Sequence, residues 1–409
     1  MGETVLNYLG DQRGTFWWGG YGISTEHTAY VNLANGIPAP QSGSSALNGT
    51  TVAEQIGGQI FSDIWGLVAP GQPDLAAMYA ARAASVTHDG EGLQGARFIA
   101  GLVSLAFAEE DPEALVEQGM ALLDPSSDYA RVVQSVLDFW RQAPDSWHAC
   151  YEHLRNNFGY DRYPGMVHII PNAGIVVMAL LYSQGDFSQA VQIATMAGWD
   201  TDCNGGNVGA IMGVAVGLDG IDCRWRTPMN DLLIAANVIG ERNLVDLPAC
   251  ADLFAQCGRQ IAGQPVAAKP RLHFDYPGST HGMESRARLA KVIDLRQREG
   301  ALSIVVSGLK KKGEITVFRR TYCRPAELSA NYYGASFSPA IYPGQTISAR
   351  VFAPEDADNL LAALGVWDDN QQLHHQAQAI PLRRGSWVNL TFQIPHLHNA
   401  LLSEVGLHL

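Results

Sequence analysis

The sequence predicts a multi-domain α + β protein, an all-helical domain followed by an all-β sandwich of jelly-roll type. Three observations predict it. The chain has 409 residues, and at about 150 residues per domain that length asks for two or three cores. Apolar residues make up 47% and charged residues 16%, against a usual charged share of about 25%, so the interiors are large and disorder is excluded. The hydrophobic period then shifts from helical spacing to alternation across Gly263-Gln264-Pro265-Val266-Ala267-Ala268-Lys269-Pro270. This places a helical domain at 1–262, a linker at 263–270 and a β-sandwich at 271–409.

Each element has its own signal. Val52, Ile56, Ile60 and Ile64 recur four apart and predict one helix over 52–68, stopped by Pro70-Gly71. A second starts at Pro73-Asp74 and runs towards His88. Further helices are expected over about 93–109, 112–123, 127–141, 172–184, 186–197 and 204–217, separated by turns carrying Gly, Pro, Asp or Ser. Ile23–Tyr30 reads as a helix N-terminus with a Ser or Thr cap. After the linker, alternating stretches opening at Leu302, Glu314, Gln345, Ser386 and Ser403 read as short strands. Their number and turn-rich spacing suggest the sandwich.

Composition excludes several functions. Lys and Arg total 27 against 40 Asp and Glu, a net charge of -13. No basic stripe is visible, so nucleic acid and anionic membranes are poor partners. No apolar run approaches the ~20 residues of a membrane helix; the longest, Ala173 to Tyr182, suits a buried core helix. The six cysteines, at 150, 203, 223, 250, 257 and 323, form no CxxC pair and read as reduced thiols of a cytoplasmic protein.

The strongest chemical signal is Gly198-Trp199-Asp200-Thr201-Asp202-Cys203-Asn204-Gly205-Gly206. Two carboxylates two apart at the start of a charge-free helix can turn towards one point, as a hard divalent cation requires. Helix capping explains one such Asp; two favour metal binding. Cys203 is either a buried small hydrophobe or a weak member of the metal shell. Gly205, Gly209, Gly213 and Gly217 form a bare stripe on the same helix, and close helix packing is the simplest reason for it. Gln55, Gln59 and Asp63 share a line at i, i+4 and i+8, equally a solvated face or a functional one. Thr87-His88-Asp89-Gly90-Glu91-Gly92 is a polar turn in which a His and two carboxylates could orient a sugar hydroxyl. Asn172 follows Pro171, where a helix cap is the natural role. His374-His375 and Asp368-Asp369 look like solvent-facing loop residues. Trp367 and Trp387 are either sandwich core or platforms for a sugar ring.

Over roughly residues 20–245 the sequence resembles the ADP-ribosylglycohydrolases. Gly198-Trp199-Asp200-Thr201-Asp202-Cys203 is similar to the family's Gly-Gly-Asp-Thr-Asp-Thr signature, Thr87-His88 matches its Thr/Ser-His turn, and the spacing from Pro171 to Gly198 fits. The resemblance implies an orthogonal all-helical fold with a binuclear Mg²⁺ or Mn²⁺ site. It implies hydrolysis of the glycosidic bond at C1 of an ADP-ribosyl or related ribosyl group, on a small molecule or a protein. Asp200 and Asp202 would be metal ligands and catalytic, with Cys203 standing where the family has a Thr or Ser ligand. Gln55, Gly57 and Gly58 would lie near the phosphate and ribose loop, although its usual Gly-Asn-Gly wording is absent. His88, Asp89, Glu91 and Asn172 complete the candidate substrate-binding set.

One family motif departs. The acidic Thr-Asp-Asp-Thr-like motif upstream has only Thr25-Glu26-His27-Thr28 as its counterpart. Two expectations follow: either the helical domain is N-terminally incomplete and lacks half the site, or Glu26 and His27 substitute. The first of these carries the alternative function, a catalytically impaired ribosyl- or sugar-binding protein.

Overall fold

The most apolar stretch of the chain, Ile169–Tyr182, is a helix whose every residue is buried. In the computed structural model, which describes residues 1–328, 334–355, 357 and 359–409, the helical unit is built around it. Against it pack the helices Glu91–Leu105, Asp128–Gln142, Trp147–Phe158, Phe187–Met196 and Thr201–Val216. Asp128–Gln142 is amphipathic and buries Tyr129, Val132, Val133, Val136 and Leu137 along one stripe. Three of these helix starts are fixed by side-chain caps, with Ser127, Ser146 and Asp186 each accepting the N–H three residues on. Ser24 caps Thr25–Ala34 in the same way, as its sequence suggested.

The helix expected over 52–68 is three short ones, Thr50–Ala53, Gly57–Ile60 and Asp63–Leu67. Between the first two the chain leaves helical geometry to form an antiparallel bridge from Gln55 to His168. Ile56 N–H bonds Val167 O at 3.0 Å and Ile169 N–H bonds Glu54 O at 3.0 Å, so backbone partners far along the chain replace the helical ones. Ile169–Tyr182 starts earlier than expected because His168 Nδ1 accepts the Ile170 N–H at 3.3 Å, and Pro171 is tolerated in a first turn that has no use for its N–H. Asn172 is therefore inside the helix and is not its cap. Trp147–Phe158 was not anticipated; it buries only Cys150, Leu154 and Phe158, four apart in an otherwise polar segment.

The glycine stripe packs as expected for a helix contact. A Cβ at Gly205, Gly209 or Gly213 would lie 3.6, 4.0 and 3.7 Å from Thr195, Val191 and Phe187 of the preceding helix, while Gly217, at φ +64°, ends its own helix.

Met1–Gln12, Phe16–Trp225 and Asp252–Ala267 form the helical unit; Arg13–Thr15, Arg226–Ala251 and Ala268–Leu409 form the β-rich one. Residues 226–251 thus cluster with the strands, where the sequence reading had them with the helices. All described strand pairs are antiparallel. The largest sheet runs Ile380–Pro381, Leu361–Asp368, Leu402–His408, Glu314–Arg320, Met283–Arg288, with Leu373–Gln376 also on Leu361–Asp368. Three further ladders pair Thr346–Ala353 with Ser386–Gln393, Lys291–Arg298 with Ala301–Ser307 and Leu232–Ile234 with Leu244–Asp246. Leu364, Val366, Leu390, Phe392 and Leu402 contribute to its core. Asp368 and the His pair are not solvent-facing loop residues. Asp368 is fully buried because its Oδ1 accepts the N–H groups of Asn370, Gln371 and Leu401, and His374 and His375 sit half-buried in a strand. Trp387 is 50% exposed and Trp367 half-buried. Among the described residues all six cysteines are free, and no helix is long and apolar enough to cross a membrane.

The β-rich unit holds one buried ionic knot. Asp246 is 2% exposed; its Oδ1 accepts from His281 Nδ1 at 2.8 Å and from Ala249 N–H at 2.9 Å, and its Oδ2 from Arg319. Burial alone would raise its pKa, but the His281 bond, the Arg319 charge and bond, and the Ala249 N–H together hold it well below the ordinary carboxylate range. A carboxyl depressed in the folded state stabilises it above the unfolded pKa of about 3.9, and that contribution is lost as pH falls towards the folded value. Asp246→Asn should cost about 3–5 kcal/mol at neutral pH and flatten the acid side of the stability profile. Denaturant titrations at several pH values check this, and parallel acid profiles for both proteins would reject it. Gly209→Ala should raise stability by about 0.5–1 kcal/mol, read as a higher thermal midpoint, since its methyl meets Val191 at ordinary contact distance.

Candidate functional site

The Asp-Thr-Asp turn is held in a conformation that local preference opposes. Gly198 and Trp199 both have left-handed backbones, at φ +76° and +59°, and for a bulky residue this costs about 1–3 kcal/mol. Trp199 is kept there by its ring, which packs 5.5 Å from Tyr151 and 5.4 Å from Tyr160. Asn172, with no exposed surface, ties the turn from beneath. Its Oδ1 accepts from Asp200 N–H at 3.3 Å and Asn204 Nδ2 at 2.8 Å. Its Nδ2 donates to Tyr160 Oη at 2.7 Å and His168 O at 2.9 Å. Asp200 occupies the N-cap position of Thr201–Val216, where the Cys203 N–H and thiol act on its carboxylate. The donor atoms of Asp200, Asp202 and Cys203 lie within 4.8 Å of one another.

The electrostatics are those of crowded negative groups. Asp200 is pushed up to about 6, first by burial and then by the hydrogen bond and charge of Asp202; the Cys203 thiol and N–H act in the opposite sense. Burial, then the charges of Asp200 and Asp202, raise the Cys203 thiol, and Glu26 adds to this. The charge of Glu26, on the helix Thr25–Ala34, is thus felt at the Cys203 thiol. This carboxyl is 3% exposed, and burial raises it to about 7 against its own backbone and the Ser24 hydroxyl, which donates to it at 3.3 Å. Behind it sits His88, 1% exposed, which burial lowers to about 3. Its Nδ1 is 2.7 Å from Thr87 Oγ1. Its Nε2 stands 3.6 Å from Glu26 Oε1 with no hydrogen-bond partner. His27, the other residue of that motif, is turned elsewhere, to Gly20 N–H and Asp11.

The remaining expected residues divide by what their polar atoms do. Gly57 borders the site: a Cβ there would lie 1.9 Å from Glu26 Oε1 and 2.7 Å from His88 Nε2. Gly58 serves packing, since its Cβ would stand 2.3 Å from Gly92 O. Both polar ends of Gln55 are engaged by backbone, Oε1 by Val167 N–H at 2.9 Å and Nε2 by Thr51 O. Asp89 accepts from Ser45 N–H and Oγ at 3.0 and 2.8 Å and from Gly90 N–H. Glu91 binds the Asp128 and Tyr129 N–H groups at 3.0 and 2.9 Å, capping a helix. Sequence reasoning did not single out Trp199 and Tyr160. Asp63, noted only in a line of polar residues, is raised to about 7 by burial, against the bond from Asn207 Nδ2 at 2.8 Å.

Two carboxylates and a thiol cluster here, the charge of a third carboxyl, Glu26, is felt at the thiol, and among the described residues no lysine or arginine pairs with Glu26, Asp200 or Asp202. Buried charge of one sign is costly without a counter-charge. The donor set of two carboxylates and a thiol fits a divalent cation.

Two outcomes follow. A carboxyl raised from 4.5 to about 7 withdraws stability as pH rises through that interval, on the order of 3 kcal/mol. In chelator-treated protein, Glu26→Gln should therefore be more stable than wild type at pH 8 and not at pH 4; equal melting curves at both would refute it. Gly57→Ala should displace Glu26 or His88 and cost about 1–3 kcal/mol by overpacking, measured by denaturant unfolding.

No curated protein matches the sequence. A family model, ADP-ribosylglycohydrolase, matches residues 2–260, which contain the Asp200 turn, the Glu26 helix and His88. The chain belongs to the ADP-ribosylglycohydrolase family.

Proposed function

We propose that the helical domain is a divalent-cation-dependent hydrolase cleaving the glycosidic bond at C1 of an ADP-ribosyl or related ribosyl group. The observation that carries this reading is the convergence of Asp200, Asp202 and Cys203 in a chain of this family. Asp200, Asp202 and Cys203 would hold Mg²⁺ or Mn²⁺, with Glu26 on the buried side. Bound there, the cation orients ribose hydroxyls and makes a water more acidic.

The chain's own residues then have separable tasks. Asn172 fixes the Asp200 backbone through the 3.3 Å bond to its N–H, so the carboxylates keep their spacing. Asp202 is the exposed carboxylate of the set and is the one open to accept a proton from an attacking water. His88 is held neutral by burial, which keeps positive charge away from the sugar while C1 gains oxocarbenium character. The acidic surroundings favour that same developing charge.

The test is hydrolysis of an ADP-ribosylated protein and of small ribosides with Mg²⁺ or Mn²⁺. Wild type should turn over, chelation should stop it, and Asp202→Ala should lower the rate by about 100-fold. Equal rates for the two proteins, or turnover in chelator, would reject the proposal. Calorimetric binding of ADP-ribose with Mg²⁺ but no turnover would replace it with a sugar-binding role.

A further inference from the structure

We propose that the outward face of the ladder pairing Thr346–Ala353 with Ser386–Gln393 is a second binding site for the ADP-ribosyl group, stacking its adenine on Trp387 and holding its diphosphate at Arg350. The inference rests on the reading that the chain acts on ADP-ribosyl substrates and deepens it by assigning a further place where such a group is held.

Alternation along the two strands turns Val351, Leu390 and Phe392 to the core of the β-rich unit and sends every second residue outwards. On the outward side Phe352 and Trp387 stand directly opposite one another, their rings 5.5 Å apart at 51°. They are 45% and 50% exposed, so two large rings lie in water side by side. Two residues along, Arg350 faces Asn389, and its guanidinium lies 5.2 Å from the Trp387 ring centroid. Among the described residues no carboxylate pairs with Arg350. Neither strand contains an acidic residue, in a chain whose net charge is -13. The next pair, Ser348 and Thr391, adds two hydroxyls.

Charge and shape both select an anionic ligand that carries a flat ring. A base stacks on an aromatic face, and a planar guanidinium meets phosphate oxygens with parallel N–H donors. Two strand residues span about 7 Å, which suits the one ribose that separates adenine from its diphosphate. Glu355 sets the direction. It lies beyond the Trp387 end of the strands, against Gly385, where a carboxylate repels phosphate and accepts from the adenine amino group. The diphosphate therefore runs towards Arg350 and Asn389, and the terminal ribose towards Ser348 and Thr391. A neutral glycan would use the rings and leave the guanidinium charge unanswered.

The experiment is calorimetry of the full chain with ADP-ribose. With Mg²⁺ present wild type should bind two per chain and Trp387→Ala one, while Asp202→Ala in chelator should keep the one at this face. Within that last protein, adding Trp387→Ala should weaken binding by about tenfold or more, and adding Trp387→Phe should preserve most of it. Arg350→Ala should weaken it and flatten its dependence on salt. Hydrolysis of a small riboside should be equal in wild type and Trp387→Ala. Unchanged ADP-ribose binding in Trp387→Ala, with hydrolysis intact, would overturn the second site and leave the hydrolase reading standing. Neutral oligosaccharide binding that Trp387→Ala abolishes, without ADP-ribose binding, would replace it with a glycan-binding face. ADP-ribose binding that depends on Trp387, without hydrolysis by wild type, would keep the site and remove the hydrolase reading. Neither binding nor hydrolysis would overturn both.

Discussion

One buried amide sets the geometry on which the site depends. Asn172 uses both ends of its side chain, receiving from the Asp200 backbone and Asn204 and donating to Tyr160 and His168. It stands on the most thoroughly buried helix of the chain, so the position of the acidic turn is referred to the rigid centre of the domain and not to the surface loops around it. Without it the left-handed Trp199 would have only ring contacts to hold it, and the two aspartates would lose their common origin.

The same site shows a domain carrying local costs for chemistry. Glu26, Asp63 and Asp200 are all carboxyls that burial pushes upward, and each would fold more comfortably as an amide. The large apolar interior, from Phe98 and Leu102 through Val132 to Met178 and Ile211, offsets them. The ionic knot at Asp246 is the contrasting case, because there the His281 bond, the Arg319 charge and bond and the Ala249 N–H outweigh burial and hold the carboxyl down.

How much of this was legible in the sequence varies by element. The helix through Ala173–Tyr182 was legible because nothing in it is polar enough to suggest a surface. The Asp200 turn was legible because its donors are contiguous, so their meeting needs no tertiary contact. The break at Gln55 was not, since its partner His168 is distant in the chain and the apolar spacing through Val52, Ile56, Ile60 and Ile64 suits a helix. Glu26 was legible only as an alternative: Ser24–Thr28 spells an ordinary helix start, and only the fold reveals that its second residue faces inward. Gln55, Asp89 and Glu91 carry functional-looking side chains, yet backbone N–H groups engage them all. Such hydrogen-bond accounting has no one-dimensional signature. In the β-rich unit, Met283–Arg288 and Lys291–Arg298 were missed because their charged residues hide the alternation, and Leu361–Asp368 because a central strand need not alternate.

The bridge between Gln55 and His168 has a consequence for the order in which the domain acquires its shape. Gly57 and Gly58, which make room for Glu26 and the Gly92 backbone, are positioned by a segment emerging from the ribosome more than a hundred residues later. Closing so long a loop is entropically demanding, and contacts of that separation form late. The helices Pro73–Ala84 and Glu91–Leu105 pack together from nearby sequence and can form early, while the surroundings of Glu26 and Gly57 come together only once the start of the central helix has been synthesised. This corner is thus among the last parts of the domain to take its final form, and a nascent chain halted before His168 holds its glycines without the bridge that positions them.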